Sequence, residues 1–540
     1  MTRPIPKTQH EPPVESPIAF NPGSNGEFCP RPDSARDRRA LQLFRELVEE
    51  KHTRAGMTRR QFADSMCGMA TALFVINQVY GCSSERGGSN GPGSMTGAGT
   101  GGGASGAGGR GGAGGSAGAG GTGVGTAGGS GSAGRSSPAG SGGSPMDAGM
   151  DMPGFPVTDA MMEDPGRACE VLLDPSQFVL DIQTHTQTPL TEAWTGRAMP
   201  AEATDFVNTI FAGSETQVAV LTGIPSVREI GLPNVAARKM FQEVVDQLAG
   251  PRLIHHANLR PDLGSSELDY MEEVLADHAP TAWKVYPHSG GWRLDSQEVG
   301  LPFVEQARAL GLPLIAAHRG LADNGDYSAP SSPVDLTNAA RQYGDVNFIC
   351  YHSGFESNTD EDHAFDPNNA NPSGVDRLIK GMLDNQLAPN SNVYAELGTT
   401  WNSIMRSPGE AAHVLGKLLL YVGEDRVVWG TDCVFHGSPQ AQISALRSFE
   451  IPMSMQEQFG YPALTQAVKA KIFGLNAAPI YGVDPQARRC AIEEDAFAYL
   501  RKSYLDDPRS VPVPREQRLG PRTRREFLAF RRFEQFFNLG

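Results

Sequence analysis

Between residues 178 and 430, short β-rich apolar runs alternate with stretches whose apolar positions recur at helical spacing. The β-rich runs fall at Phe178–Ile182, Gln217–Leu221, Arg252–His256, Ala282–Tyr286, Pro313–Ala317, Val346–Tyr351, Asn392–Leu397 and Arg426–Gly430. Helical patterns separate them, at Asn234–Ala249, Ser265–Ala276, Phe303–Leu310, Pro333–Tyr343, Val375–Asn385 and Gly409–Val422. Strict alternation predicts parallel strands joined by right-handed crossovers, and eight such units in about 300 residues predict an α/β fold, the (β/α)8 TIM barrel. The barrel is expected over residues 175–484, with a doubly wound open sheet as the competing arrangement.

The flanks are patterned differently. Residues 1–35 are Pro-rich and polar, so disorder is expected there, and Arg36–His52 predicts an amphipathic helix within an N-terminal extension of residues 1–56. Residues 57–86 carry the pair Arg59-Arg60, an apolar stretch from Met66 to Val79, and Val79-Tyr80-Gly81-Cys82. The segment resembles a twin-arginine export signal with a loose lipobox, which implies lipidation at Cys82 and a periplasmic or membrane-anchored protein. A buried helix in a cytoplasmic protein is the alternative. Residues 87–152 are mostly Gly, Ser, Ala and Thr, a linker whose root-mean-square span is roughly 40–45 Å. The C-terminal extension, 485–540, sets Arg522, Arg524, Arg525, Arg531 and Arg532 among five phenylalanines and is expected to dock as a helix.

Composition narrows the function. The 540 residues hold 46 Lys and Arg against 61 Asp and Glu, a formal charge of −15, which argues against nucleic acid as a partner. Seven scattered cysteines without a CxxC pair indicate neither a disulfide framework nor a zinc ribbon.

In a parallel barrel, functional groups gather at the carboxyl ends of the strands. Here those ends carry Asp181-Ile182-Gln183-Thr184-His185, Lys284, His318-Arg319, His352, Glu396 and Thr431-Asp432. Gln183 and His185 share one side of an alternating strand. Imidazoles, a carboxylate and an amide oxygen form a mixed N/O set suited to one divalent ion, Zn²⁺ first, with Mn²⁺ or Fe²⁺ as alternatives. Lys284, His288, Arg293, Glu396 and His436 are the candidate substrate-binding residues.

The D-x-Q-x-H of residues 181–185, the His ending the fifth strand, Tyr351-His352-Ser353-Gly354, Gly430-Thr431-Asp432 and Gly474-Leu475-Asn476-Ala477-Ala478 resemble the amidohydrolase-related family. The resemblance implies His185, His318 and Asp432 as metal ligands and His352 and Asp432 as catalytic acid and base; Gln183 is a fourth candidate ligand, or else a hydrogen-bond donor that orients a neighbour. The resemblance also implies a metal-activated water attacking a carbonyl-type centre in a lactone, ester or amide. Gln183 departs from the family's usual His and weakens first-row metal binding. The same branch contains non-oxidative decarboxylases of small unsaturated or aromatic acids, so decarboxylation is the alternative. A barrel whose metal chemistry has decayed, acting as a binding module, is the second. Expected partners are a small-molecule substrate, a membrane tether at the N-terminus and further copies of the chain.

Overall fold

The computed structural model describes residues 13–81, 152–186, 199–223, 235–321, 329–486, 520–529 and 532. The expected linker, Cys82 and most of the C-terminal extension lie outside them.

Eight parallel strands pair in chain order: β1 (Leu180–Thr184), β2 (Val218–Leu221), β3 (Leu253–Leu259), β4 (Ala282–Val285), β5 (Leu314–His318), β6 (Asn347–Tyr351), β7 (Val393–Glu396) and β8 (Val427–Val428). Each overlaps its expected run. The sheet closes where β8 returns to β1, through Ile182 N–H to Trp429 O (3.0 Å), Asp432 N–H to Gln183 O (2.9 Å) and a parallel bridge between Thr184 and Cys433. Closure rules out the open sheet. Helices at Val235–Ala249, Ser265–His278, Gly300–Ala309, Val334–Gln342, Val375–Asp384 and Pro408–Lys417 fill the crossovers.

Period-two alternation divides the core. Leu314 and Ala316 of β5 and Ile349 and Tyr351 of β6 pack inside the barrel with Val218, Val220 and Val428. Ile315, Ala317, Phe348 and Cys350, the intervening residues, pack outward in the layer beneath the helices. Ala477, Ala478 and Tyr481 join the interior cluster. On β1 the register against β2 shifts between Asp181 and Thr184, interrupting strict alternation where Gln183 lies.

The N-terminal region is part of the same compact unit. Helices α1 (Ala35–Lys51), α2 (Arg59–Ala63) and α3 (Met66–Tyr80) are each opened by a capping hydroxyl, from Ser34, Thr58 and Ser65. Phe44, Val48, Phe62, Leu73 and Ile76 are buried in the cluster that also holds Trp401, Ile404 and Leu415. Asn77 grips the Phe155 backbone from both sides, at 2.6 and 3.0 Å, and Lys51 pairs with Glu163 at 2.9 Å. The apolar stretch read as an export segment is therefore a buried helix of the folded unit. No described helix is long and apolar enough to cross a membrane.

Disorder was the expectation for residues 13–34, and the structure differs. Ile18 and Phe20 are 1% and 4% exposed, Phe20 stacks edge-on to Phe44 at 6.4 Å, and Arg406 donates to the Ala19 carbonyl. Composition counted the prolines but not these two apolar anchors. Downstream, Phe527 is buried while Arg522, Arg524 and Arg525 are exposed, in line with a docked segment.

Leu73→Ala tests the packing of α3. Removing a fully buried leucine from a filled core costs about 2–5 kcal/mol, so a lower thermal midpoint of the whole unit is expected in calorimetry. An unchanged midpoint would show that α3 is not part of the folded core.

Candidate metal centre

The carboxyl ends of the strands bring the polar residues together at one mouth. His318 ends β5 and directs Nε2 to the Leu321 carbonyl. His352 follows β6 and directs Nδ1 to the Gly398 carbonyl at 2.7 Å. A carbonyl only accepts, so each ring is fixed as the tautomer whose other nitrogen carries a lone pair. Those two nitrogens, His318 Nδ1 and His352 Nε2, face each other at 3.2 Å. Burial, reinforced by the neighbouring His288 and His352, pushes His318 well below the usual histidine value, and burial lowers His352 to about 4. Both are neutral at pH 7.

A carboxylate completes the cluster from an unexpected direction. Glu27, in the N-terminal segment, places Oε1 3.3 Å from His318 Nδ1 and Oε2 3.8 Å from His352 Nε2. Among the described residues, Glu27, His318 and His352 form the one set of three His, Cys, Asp or Glu side chains whose ligand atoms all lie within 4.8 Å of one another.

His185 and Asp432 form a second pair beside this cluster, Nε2 to Oδ1 at 2.9 Å. The other Asp432 oxygen accepts from Asn25 Nδ2 at 2.7 Å and from the Thr399 hydroxyl. Burial opposes the charge on Asp432, but the His185 hydrogen bond and the nearby His352 and His436 outweigh it and hold its carboxyl well below the usual range. Gln183 links the two groups: Nε2 is 3.5 Å from His352 Nε2, and its buried Oε1 has no hydrogen-bond partner. The buried His185 Nδ1 also has none. The expected ligands thus converge on one mouth, but His185 and Asp432 pair with each other while His318 pairs with His352.

The loops that carry these groups are strained. His352, Ser353, Thr399 and Asp432 account for four of the seven described non-glycine residues with left-handed φ, between 52° and 62°. Each costs about 1–3 kcal/mol, and such strain concentrates at functional sites.

The other candidates separate. Lys284 is fully buried with no hydrogen-bond partner on Nζ, which lies 3.2 Å from the centre of the Tyr351 ring and 4.6 Å from that of Tyr286. Burial lowers it to about 7, against the opposing pull of Glu396 and Glu27. Glu396 accepts from the backbone N–H of His352 (2.9 Å) and of Gly398, which ties down the loop, and burial raises it to about 8. The His288 ring lies against that of His318, 4.5 Å between centroids and tilted by 44°. His436 reaches the Thr399 hydroxyl at 2.9 Å, one contact from Asp432. Arg293 donates from Nε and Nη2 to Asp295, at 2.8 and 2.7 Å, which engages that edge of the guanidinium. His256 hydrogen-bonds Tyr481 inside the barrel, a packed role.

The amidohydrolase family profile matches residues 181–483, more than half of the chain. The chain belongs to the amidohydrolase family. This is a family of metal-dependent hydrolases and related lyases, and the family member described here is an enzyme of that superfamily. The sequence has no match among curated proteins. Similar solved structures include 2,6-dihydroxybenzoate decarboxylase from Rhizobium, with 14% identity, TM-score 0.35, and coverage of 57% of this chain and 99% of that one. Another is 5-carboxyvanillate decarboxylase from Novosphingobium aromaticivorans, complexed with manganese, with 13% identity, TM-score 0.35, and coverage of 57% and 97%. A third is dihydroxybenzoic acid decarboxylase from Polaromonas, with bound manganese and 2-nitroresorcinol, with 13% identity, TM-score 0.36, and coverage of 57% and 97%.

The donor set fits a divalent ion. Two imidazoles turn lone pairs towards each other and towards the Glu27 carboxylate, an N/O set suited to a divalent ion, with the Gln183 amide 3.5 Å from His352 Nε2.

The Lys284–Glu396 pair gives the metal-free protein a readable pH profile. Glu396 is raised, so its contribution to stability falls as pH rises from about 4.5 to about 8. Lys284 is lowered, so its contribution grows as pH rises from about 7 to about 10.5. In urea unfolding, Glu396→Gln should gain on the native protein as pH goes from 5 to 8. The advantage of Lys284→Met should shrink from pH 7 towards 10. Parallel profiles for all three proteins would contradict these environments.

Proposed function

We propose that the chain is a metal-dependent non-oxidative decarboxylase of a small planar acid, aromatic or conjugated. One observation carries the reading: Lys284 places a buried ammonium without a hydrogen-bond partner among aromatic rings at the inner wall of the metal centre. A buried cation of this kind is stabilised by an anion brought to it, and a substrate carboxylate supplies one. Its arrival raises the Lys284 pKa and makes the ammonium permanent. The rings of Tyr286, His288, His318 and Phe435 offer flat apolar faces to a conjugated acid.

A divalent ion held by His318 and His352, with His185, Gln183 and Asp432 alongside, would polarise a substrate oxygen and fix its orientation. The remaining steps belong to the side chains. Lys284 binds and orients the carboxylate. The bond from the ring carbon to the carboxylate breaks, CO₂ leaves, and the carbon takes a proton in its place. His185 relays that proton from solvent through Nδ1, which has no hydrogen-bond partner, while its Nε2–H stays with Asp432. Asp432 serves as the orienting carboxylate because its oxygens already accept from His185, Asn25 and Thr399. His352 has Nδ1 committed to Gly398, which restricts it to the metal side.

Hydrolysis of a carbonyl-type centre is the second reading, favoured by the same His185–Asp432 contact, which could take a proton from an attacking water. We also propose, from Arg59-Arg60 and Cys82 in the sequence, export and tethering. Burial of α3 means that any cleavage before Cys82 leaves the N-terminal region held by its packing alone.

With protein reconstituted with Mn²⁺ or Zn²⁺, CO₂ release from a dihydroxybenzoic acid is expected, and Lys284→Met should lower kcat/KM roughly a hundredfold, the loss of one charge-assisted contact of about 3 kcal/mol. Hydrolysis of a lactone or ester without CO₂ from any acid tested would overturn the decarboxylase reading in favour of the second.

A further inference from the structure

The N-terminal segment enters the metal centre, and its path is set at several points. Gly520, from the C-terminal segment, donates to the Phe435 carbonyl in the loop after β8, and Ser24 donates to the Pro521 carbonyl at 2.9 Å. A Cβ on Gly520 would lie 1.8 Å from the Ser24 carbonyl oxygen, so the two extensions meet at a distance that only glycine permits. Gly26 turns the chain with φ 101°, a left-handed conformation suited to glycine, and its N–H is held by the Ser24 hydroxyl at 2.9 Å. Just before Gly26, one amide nitrogen, Asn25 Nδ2, donates both to Asp432 Oδ2 (2.7 Å) and to Glu27 Oε2 (2.6 Å). The Glu27 carboxylate is thereby oriented by a residue that also touches the opposite side of the centre, as outer hydrogen bonds orient metal ligands elsewhere.

We propose that Glu27 is a ligand of the divalent ion, supplied by the N-terminal extension to a barrel whose first strand offers Gln183 where an imidazole would be the stronger donor. The inference rests on the metal-dependent reading above, but not on whether the reaction is decarboxylation or hydrolysis. Two observations carry it. Glu27 Oε1 and Oε2 approach the lone-pair nitrogens of His318 and His352, at 3.3 and 3.8 Å, and one atom of each of the three residues lies within 4.8 Å of the others, close enough to share one ion. The carboxylate is also held in place from outside, Asn25 Nδ2 donating to its Oε2 at 2.6 Å. An anionic oxygen restores the affinity that a neutral amide at position 183 gives up.

The experiment is a Mn²⁺ titration of metal-free full-length protein, read by the electron paramagnetic resonance of unbound Mn²⁺, which requires no substrate. Glu27→Gln, close to isosteric, should weaken binding at least tenfold while its metal-free melting curve matches the native one. Adding Gln183→His to Glu27→Gln should recover most of the affinity, since the imidazole replaces the lost donor. In the native protein, Mn²⁺ should slow hydrogen exchange at the amides of residues 24–27. That measurement needs no variant and stands if Glu27→Gln fails to fold. Equal affinity of Glu27→Gln and the native protein overturns the assignment alone, as does exchange at residues 24–27 that is unchanged or faster with Mn²⁺. If the native protein takes up neither Mn²⁺ nor Zn²⁺, the metal-dependent reading fails first and the assignment falls with it.

Discussion

Two imidazoles whose outer nitrogens are tied to backbone carbonyls cannot turn away from each other. That constraint governs the mouth of this barrel. His318 and His352 are fixed by Leu321 and Gly398, so their remaining lone pairs face one another across 3.2 Å. Buried away from water, lone pairs in that arrangement favour a positive charge between or beside them, the Gln183 amide reaching only His352, at 3.5 Å. The left-handed backbone at His352, Ser353, Thr399 and Asp432 is the local strain accepted to hold the arrangement.

The barrel supplies this geometry because closure, not any single strand, brings the residues to one rim. Asp432 reaches His185 only because β8 hydrogen-bonds back to β1, through Ile182 with Trp429 and Gln183 with Asp432. Asp181, buried and raised to about 7 by that burial, accepts from the backbone of Gln183 and Thr431 and so ties the ends of the same two strands. The N-terminal layer adds what the barrel lacks. Phe20, Phe44 and Leu73 fasten it to the helix layer, and the segment between Phe20 and α1 is then close enough for Asn25 and Glu27 to reach the mouth.

The eight strands were legible because alternation with period two survives in almost all of them, and the helices because their apolar spacing is regular. The ends of the strands disclosed His185, His318, His352 and Asp432 for a topological reason: in a parallel barrel those positions share a rim. What the alternation could not disclose was the pairing. The register shift on β1 and the return of the chain after β8 decide that His185 meets Asp432 instead of His318, and neither is visible in local spacing. Arg293 was legible in principle, since an aspartate two residues on is a natural local partner for a guanidinium. Glu27 was not. It lies among prolines and glycines whose composition indicates disorder, and the fold is dictated there by contacts with residues far along the chain, such as Asp432 and Pro521. The weak trace was Ile18 and Phe20, two apolar residues in a polar stretch, ahead of Asn25-Gly26, a pair suited to a turn.

A crystal of the full-length protein soaked in Mn²⁺, with diffraction recorded at the manganese absorption edge, locates the ion directly. The account predicts one anomalous peak at the mouth of the barrel, within bonding distance of His318 Nδ1, His352 Nε2 and a Glu27 oxygen, with residues 24–27 in place. A peak away from both imidazoles, or the same peak with the N-terminal segment expelled, would contradict it.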